Sequence, residues 1–209
     1  MIKAVIFDFD GTIIDTESLW YDIYKEYFLS SYNYHLPLEL FGKFIGTDAE
    51  TLFLAIEEDL GQPLERTKLI SDLNHLFEKN LPSLEMRDGI VDIIKRAIES
   101  DKKIAIATSS NIEWVERLLN HFGIGQYFTI MITRDFVEKV KPDPALYKLA
   151  VEKLNVMPTE AIAIEDSRNG AIAAIRAGLN CIVVPNRVTK YSTFPEDCVI
   201  KDSFQSIDF

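Results

Sequence analysis

Five short apolar runs in this chain have the length and composition of strands: Lys3 to Asp8, Lys103 to Thr108, Thr129 to Thr133, Ala161 to Glu165 and Cys181 to Val184. Each is continuous rather than alternating, as expected of strands buried on both faces of a parallel sheet. Between them the apolar spacing becomes helical. Asp88 to Ser100 sets Ile90, Ile93, Ile94, Ala97 and Ile98 on one side. Asn111 to Phe122 and Pro144 to Leu154 repeat the theme, and Asn169 to Ala177 is a small-residue helix closed by Gly178. Strands alternating with helices imply right-handed crossovers, so the pattern predicts an α/β fold built on a doubly wound parallel sheet.

One region breaks the alternation. From Asp15 to Leu84 only helical patterns occur, separated by loops such as Asn33-Tyr34-His35-Leu36-Pro37 and Gly61-Gln62-Pro63. Trp20, Ile23, Tyr24, Tyr27 and Phe28 recur at helical spacing, which marks buried packing rather than a ligand surface. The 209 residues suit a core plus a modest insertion. We expect a core of residues 1–14 and 85–209 and a helical unit of residues 15–84, hanging over the carboxyl end of the first strand.

Several function classes are disfavoured. A formal net charge of −11 argues against nucleic acid or an anionic membrane surface as main partner. Cys181 and Cys198 form neither a CxxC pair nor a zinc spacing, no run approaches the ~20 apolar residues of a membrane span, and Met1 leads directly into a strand. The expectation is a reduced cytoplasmic protein, a monomer or weak homo-oligomer. His35, His75 and His121 lack any His/Asp/Ser pattern, and no GxxxxGK[ST] occurs.

In an open parallel sheet, ligands sit beyond the carboxyl ends of the strands. Here those ends are rich in chemistry. The first reads Asp8-Phe9-Asp10-Gly11-Thr12, the second Thr108-Ser109-Ser110-Asn111, and the fourth Glu165-Asp166-Ser167, while Lys141-Pro142-Asp143-Pro144 follows the third. Asp8 and Asp10, two apart, are expected side by side. With Asp166 they gather anionic groups that repel unless a cation sits among them, and oxygen ligands select a hard divalent ion, Mg²⁺ above all. Lys141 adds positive charge, Thr108 a hydroxyl donor, and the backbone amides of Ser109, Ser110 and Asn111 an anion cradle at a helix start. Such a set suits phosphate. Asp8 would attack phosphorus, and Asp10 would act as acid toward the leaving oxygen and then as base toward water. Gly11 lets the chain turn beneath the site.

In order, DFDGT, ATSSN, KPDP and IEDS resemble the four motifs of the haloacid dehalogenase superfamily. The helical insertion resembles the cap of its first subfamily, with the β-phosphoglucomutase-like and phosphoglycolate-phosphatase-like enzymes. The resemblance spans almost the whole chain. It implies a Rossmann-like core, Mg²⁺ and phosphoryl transfer through Asp8. It also implies that the Asp10 backbone carbonyl binds the metal, that Thr108 and Lys141 bind phosphate, that Asp166 is a metal ligand, and that Glu165 orients metal-bound water. The dehalogenases and phosphonate hydrolases of the superfamily lack the second aspartate, so Asp10 points away from both.

The expected function is therefore Mg²⁺-dependent hydrolysis of a small phosphorylated metabolite, such as a sugar phosphate. The nearest alternative is a phosphosugar mutase. Enzymes resembling β-phosphoglucomutase grip the distal phosphate with a cap arginine and carry a histidine after the first motif. Here Trp20 takes the histidine's place, the first arginine is Arg66, and Lys25 and Lys43 are the only cations between Asp15 and Gln62. A phosphoacceptor signalling module is more distant, since it needs neither Asp10 nor an insertion. The loop Gly46-Thr47-Asp48-Ala49 is a candidate specificity loop, by analogy with the same family.

Overall fold

The computed structural model describes residues 1–45 and 49–209; Gly46, Thr47 and Asp48 of the candidate specificity loop lie outside the described residues. Six strands, β1 (Ala4–Phe7), β2 (Lys103–Ala107), β3 (Met131–Ile132), β4 (Ala161–Glu165), β5 (Asn180–Val183) and β6 (Cys198–Ile200), form one sheet in the order β3-β2-β1-β4-β5-β6. Every pairing is parallel. Helices α1 (Thr16–Tyr32), α2 (Leu38–Lys43), α3 (Ala49–Leu60) and α4 (Arg66–Asn80) follow β1, and α5 (Ile90–Glu99) precedes β2. Helices α6 (Ile112–Phe122), α7 (Ala145–Leu154) and α8 (Arg168–Arg176) complete the Rossmann-like fold.

Period-two side chains sort the two faces. Val5, Phe7, Ile104, Ile106, Ile162 and Ile164 meet the apolar stripes of α5 and α6. Their neighbours Ala4, Ala105, Ala107, Ala161 and Ala163 are small, so α7 and α8 pack closely on the opposite face, α8 through Ala171, Ala173 and Ala174. The small residues read as a helix in the sequence are thus a packing device.

Helices α1–α4 share a third hydrophobic cluster of their own, with Phe28, Ile56 and Leu69 fully buried and Val188 reaching in from the loop after β5. Of the aromatic stripe, Ile23, Tyr24, Tyr27 and Phe28 are buried as expected. Trp20 departs from it: half-buried, it stacks on Phe77 at 4.3 Å and lines a cavity. Two further expectations need adjustment. The run Thr129 to Thr133 yields only the two-residue β3, and β6 went unforeseen because three half-exposed edge residues carry no periodic signal.

Candidate active site

The strand order reverses between β1 and β4, the place where an open α/β sheet leaves a crevice at its carboxyl end. β1 ends at Phe7, and the Asp8 amide still donates to Ile164 O at 2.9 Å, so Asp8 leaves the sheet beside the end of β4. The chain then folds back, with the Gly11 amide donating to Ile14 O at 2.7 Å. Gly11 has φ +79°, and a Cβ there would collide with the Asp166 carboxylate. Both facts require glycine. Arg87 secures the turn by donating to Gly11 O and to Val184 O and Pro185 O beyond β5.

At the centre is a buried ion-pair triad. Lys141 Nζ donates to Asp8 Oδ1 at 2.5 Å and to Glu165 Oε1 at 2.7 Å. Glu165, fully buried, also accepts from the Tyr147 hydroxyl at 2.6 Å and the Ser167 hydroxyl at 3.1 Å. Its carboxylate fills the space over Gly170, where a Cβ would overlap it. Glu165 is therefore the anchor of Lys141. Asp166 accepts from Thr12 Oγ1 at 3.1 Å and Asn186 Nδ2 at 2.7 Å, which hold it behind Gly11.

The electrostatics are strained in one direction. Burial, with Glu165 adding, pushes Asp8 up to about 7 against the pull of Lys141. Burial, then Asp8 and Glu165, holds Asp166 well above the carboxylate range. Burial would lower Lys141, but Asp8 and Glu165 outweigh it and keep the ammonium charged. Carboxylate oxygens of Asp8, Glu165 and Asp166 lie within 4.8 Å of one another. An all-oxygen, charge-crowded cluster is what a hard divalent cation fits.

Over this cluster lies a cavity of about 890 Å³ lined by Asp8, Asp10, Thr108, Ser109, Ser110, Asn111 and Lys141, seven of the nine expected site residues; Glu165 and Asp166 sit below it. Asp8 and Asp10 share the cavity but not their partners. Asp10 accepts from Ser110 Oγ at 2.5 Å and Trp114 Nε1 at 2.9 Å. The expected amide cradle is partly engaged within the protein. Its Ser110 amide donates to Thr108 Oγ1 at 3.1 Å; the Asn111 side chain, apart from the cradle, caps α6 by accepting from the Trp114 amide at 2.9 Å.

Sequence reasoning missed several participants. Glu17, in the first turn of α1, lines the cavity, and burial with Asp10 and Asp8 pushes it up to about 8. Tyr147, Asn186 and Trp114 lie 18, 20 and 104 positions from the carboxylates that their side chains touch, and no local pattern marked them. A second cavity, about 450 Å³, opens among α1–α4 and shares Glu17, Trp20, Ile45, Ala49 and Asn74 with the first. Arg66 is absent from the described lining of both; it pairs with Glu50 and Glu57, each at 2.8 Å.

A family model described as haloacid dehalogenase-like hydrolase matches residues 5–184. YhcW of Bacillus subtilis (strain 168), named as a phosphatase, is 43% identical over 190 residues, covering 90% of this chain and 86% of that protein. A phosphorylated carbohydrates phosphatase of Thermotoga maritima is 30% identical, covering 87% of this chain and 84% of its own. The crystal structure of CbbY from Rhodobacter sphaeroides in complex with phosphate superposes with a TM-score of 0.75 at 30% identity, covering 99% of this chain and 96% of CbbY.

Proposed function

Because the chain belongs to the haloacid dehalogenase-like hydrolases, we propose that it is a Mg²⁺-dependent phosphatase that cleaves a small phosphomonoester, a sugar phosphate or similar metabolite, through an aspartyl phosphate on Asp8. The observation that carries this reading is the buried Asp8–Lys141–Glu165 triad beside Asp166 at the floor of the cavity. Similarity to enzymes named as phosphatases of phosphorylated carbohydrates supports the substrate class.

In this reading an Asp8 oxygen attacks phosphorus as the bond to the alcohol breaks, and Asp10 gives the departing oxygen its proton. Asp10, now ionised, takes a proton from water as that water attacks the aspartyl phosphate, releasing inorganic phosphate and restoring Asp8. Lys141 and Thr108 hold the phosphoryl oxygens, helped by the free amides among Ser109, Ser110 and Asn111. Asp8, Asp166 and the backbone carbonyl of Asp10 would hold Mg²⁺, with Glu165 behind them. The ion supplies charge neutralisation for the phosphoryl group and the crowded carboxylates. Helices of residues 15–84 act as a cap that shelters the reaction and selects the alcohol, Glu17 offering it a polar contact.

The mutase alternative needs a cation on the cap side to hold a second phosphate. Arg66 is committed to Glu50 and Glu57, and the cations lining the cavity among the described residues, Arg134 and Lys141, both belong to the core. A signalling module is disfavoured by Asp10 and by four helices over the site.

The test is hydrolysis of a generic phosphomonoester with and without Mg²⁺. Exhaustive chelation should abolish turnover and Mg²⁺ should restore it; activity no higher than that of Asp8→Asn would end the enzyme reading. Incubation with β-glucose 1-phosphate, with and without glucose 1,6-bisphosphate, should release phosphate. Glucose 6-phosphate formed faster than phosphate would favour the mutase.

A further inference from the structure

Asp10 stands in a loop, where no strand packing fixes its side chain, yet the proposed reaction needs its carboxyl aimed at one oxygen. Two donors supply that constraint, one for each of its oxygens: Ser110 Oγ at 2.5 Å and Trp114 Nε1 at 2.9 Å. Fixing both oxygens fixes the side-chain rotamer and the plane of the carboxylate. The indole also differs from the hydroxyl in kind. An indole N–H donates and never accepts, so it holds Asp10 without competing for the proton that Asp10 must deliver.

The ring of Trp114 has a second attachment. It packs against both the sheet-side cluster of α5 and α6 and the cluster of α1–α4. Its centroid lies 5.5 Å from that of Phe77 on α4, which stacks in turn on Trp20 of α1. One turn along α6, Arg117 pairs with Glu78, the neighbour of Phe77, at 2.6 Å. That pair is exposed and contributes little by itself, so the aromatic contact is the stronger link between α6 and α4.

We propose that Trp114 is a positioning residue: its indole N–H orients the Asp10 carboxyl toward the leaving oxygen, and its contact with Phe77 makes that orientation depend on α4 being docked against α6. The proposal rests on the reading of Asp10 as the acid, and its test separates the two.

Trp114→Phe keeps an aromatic ring for Phe77 but deletes the N–H. kcat/KM, which reports formation of the phosphoenzyme, is compared for glycerol phosphate, whose alkoxide leaves poorly, and p-nitrophenyl phosphate, which needs little protonation. The variant should lose about 10- to 100-fold on glycerol phosphate, the scale for a catalytic group misplaced by ~1 Å, and less than about threefold on the nitrophenyl ester. In an Asp10→Asn background the same substitution should add nothing further on glycerol phosphate, the non-additivity of residues acting through one group. Phe77→Leu, which retains the N–H, should show a weaker loss with the same leaving-group bias. Equal losses on both esters, or a further loss in the Asp10→Asn background, would overturn the positioning role while leaving the phosphatase standing. If Asp10→Asn itself slows both esters equally, the acid assignment falls and the role of Trp114 falls with it.

Discussion

Asp8 and Asp10 are the same residue type two positions apart, and in the proposed reaction their different surroundings would divide the work between them. Asp8 is bound to an ammonium and pressed by Glu165, whereas Asp10 is held by a hydroxyl and an indole at the cavity wall. The division predicts different failures. Asp8→Asn should abolish the phosphoenzyme, read by trapping with labelled substrate. Asp10→Asn should still bind Mg²⁺ but lose about 10²–10⁴-fold in turnover of alkyl phosphates, with a smaller loss for nitrophenyl phosphate. Lys141→Ala should also be severely impaired, because it leaves Asp8 and Glu165 buried without their shared cation. Calorimetric metal binding alongside steady-state rates would check all three.

The elements matter here through how closely they approach. β4 delivers Glu165 and Asp166 next to Asp8 because it pairs in register with β1, Phe7 opposite Ile164. The following helix, α8, begins with Ser167 accepting from the Gly170 amide at 3.1 Å, so the cap residue of α8 also donates to Glu165. Gly170 leaves the room that the Glu165 carboxylate occupies. Gly170→Ala should therefore cost about 1–3 kcal/mol, as overpacking does, and should lower activity by displacing the anchor of Lys141. Gly125→Ala is the control, since its Cβ would meet only Leu119 at 3.7 Å. Thermal melts paired with rates would separate it from Gly170→Ala, and equal behaviour of the two would contradict the account.

At the scale of the whole molecule, the charge-crowded site sets how stability responds to pH. Asp8 and Glu17 sit at about 7 and about 8, far above ordinary carboxylates, so between pH ~4 and ~8 the folded chain binds more protons than the unfolded one. Stability of the chelated protein should thus fall as pH rises through that window and level off above it. In the proposed reading Mg²⁺ should stabilise increasingly toward pH 8, where the carboxylates it would neutralise are ionised. Melting curves from pH 5 to 8.5, with chelator and with Mg²⁺, measure both slopes; a chelated protein that grows more stable toward pH 8 would refute the cluster's predicted direction. Asp8→Asn should flatten the chelated profile, at about 2–4 °C for each kcal/mol relieved.

Much of this molecule is legible in the local chemistry of its chain. Continuous apolar runs such as Ala161 to Glu165 became sheet strands because burial on both faces leaves no room for polar alternation. Motif residues at strand ends converged because parallel strands point their carboxyl ends the same way. What remained hidden depends on packing between distant segments. Trp114 meets Asp10 across 104 positions, Asn186 meets Asp166 across 20, and Tyr147 meets Glu165 across 18. Trp20 reads as one more core aromatic until it is seen both to stack on Phe77 and to line the cavity. A sequence determines which residues can be buried, paired or turned, since those follow from side-chain chemistry and spacing. Which carboxylate meets the lysine and which the indole was decided only when the sheet, its helices and the four helices above the site closed on one another.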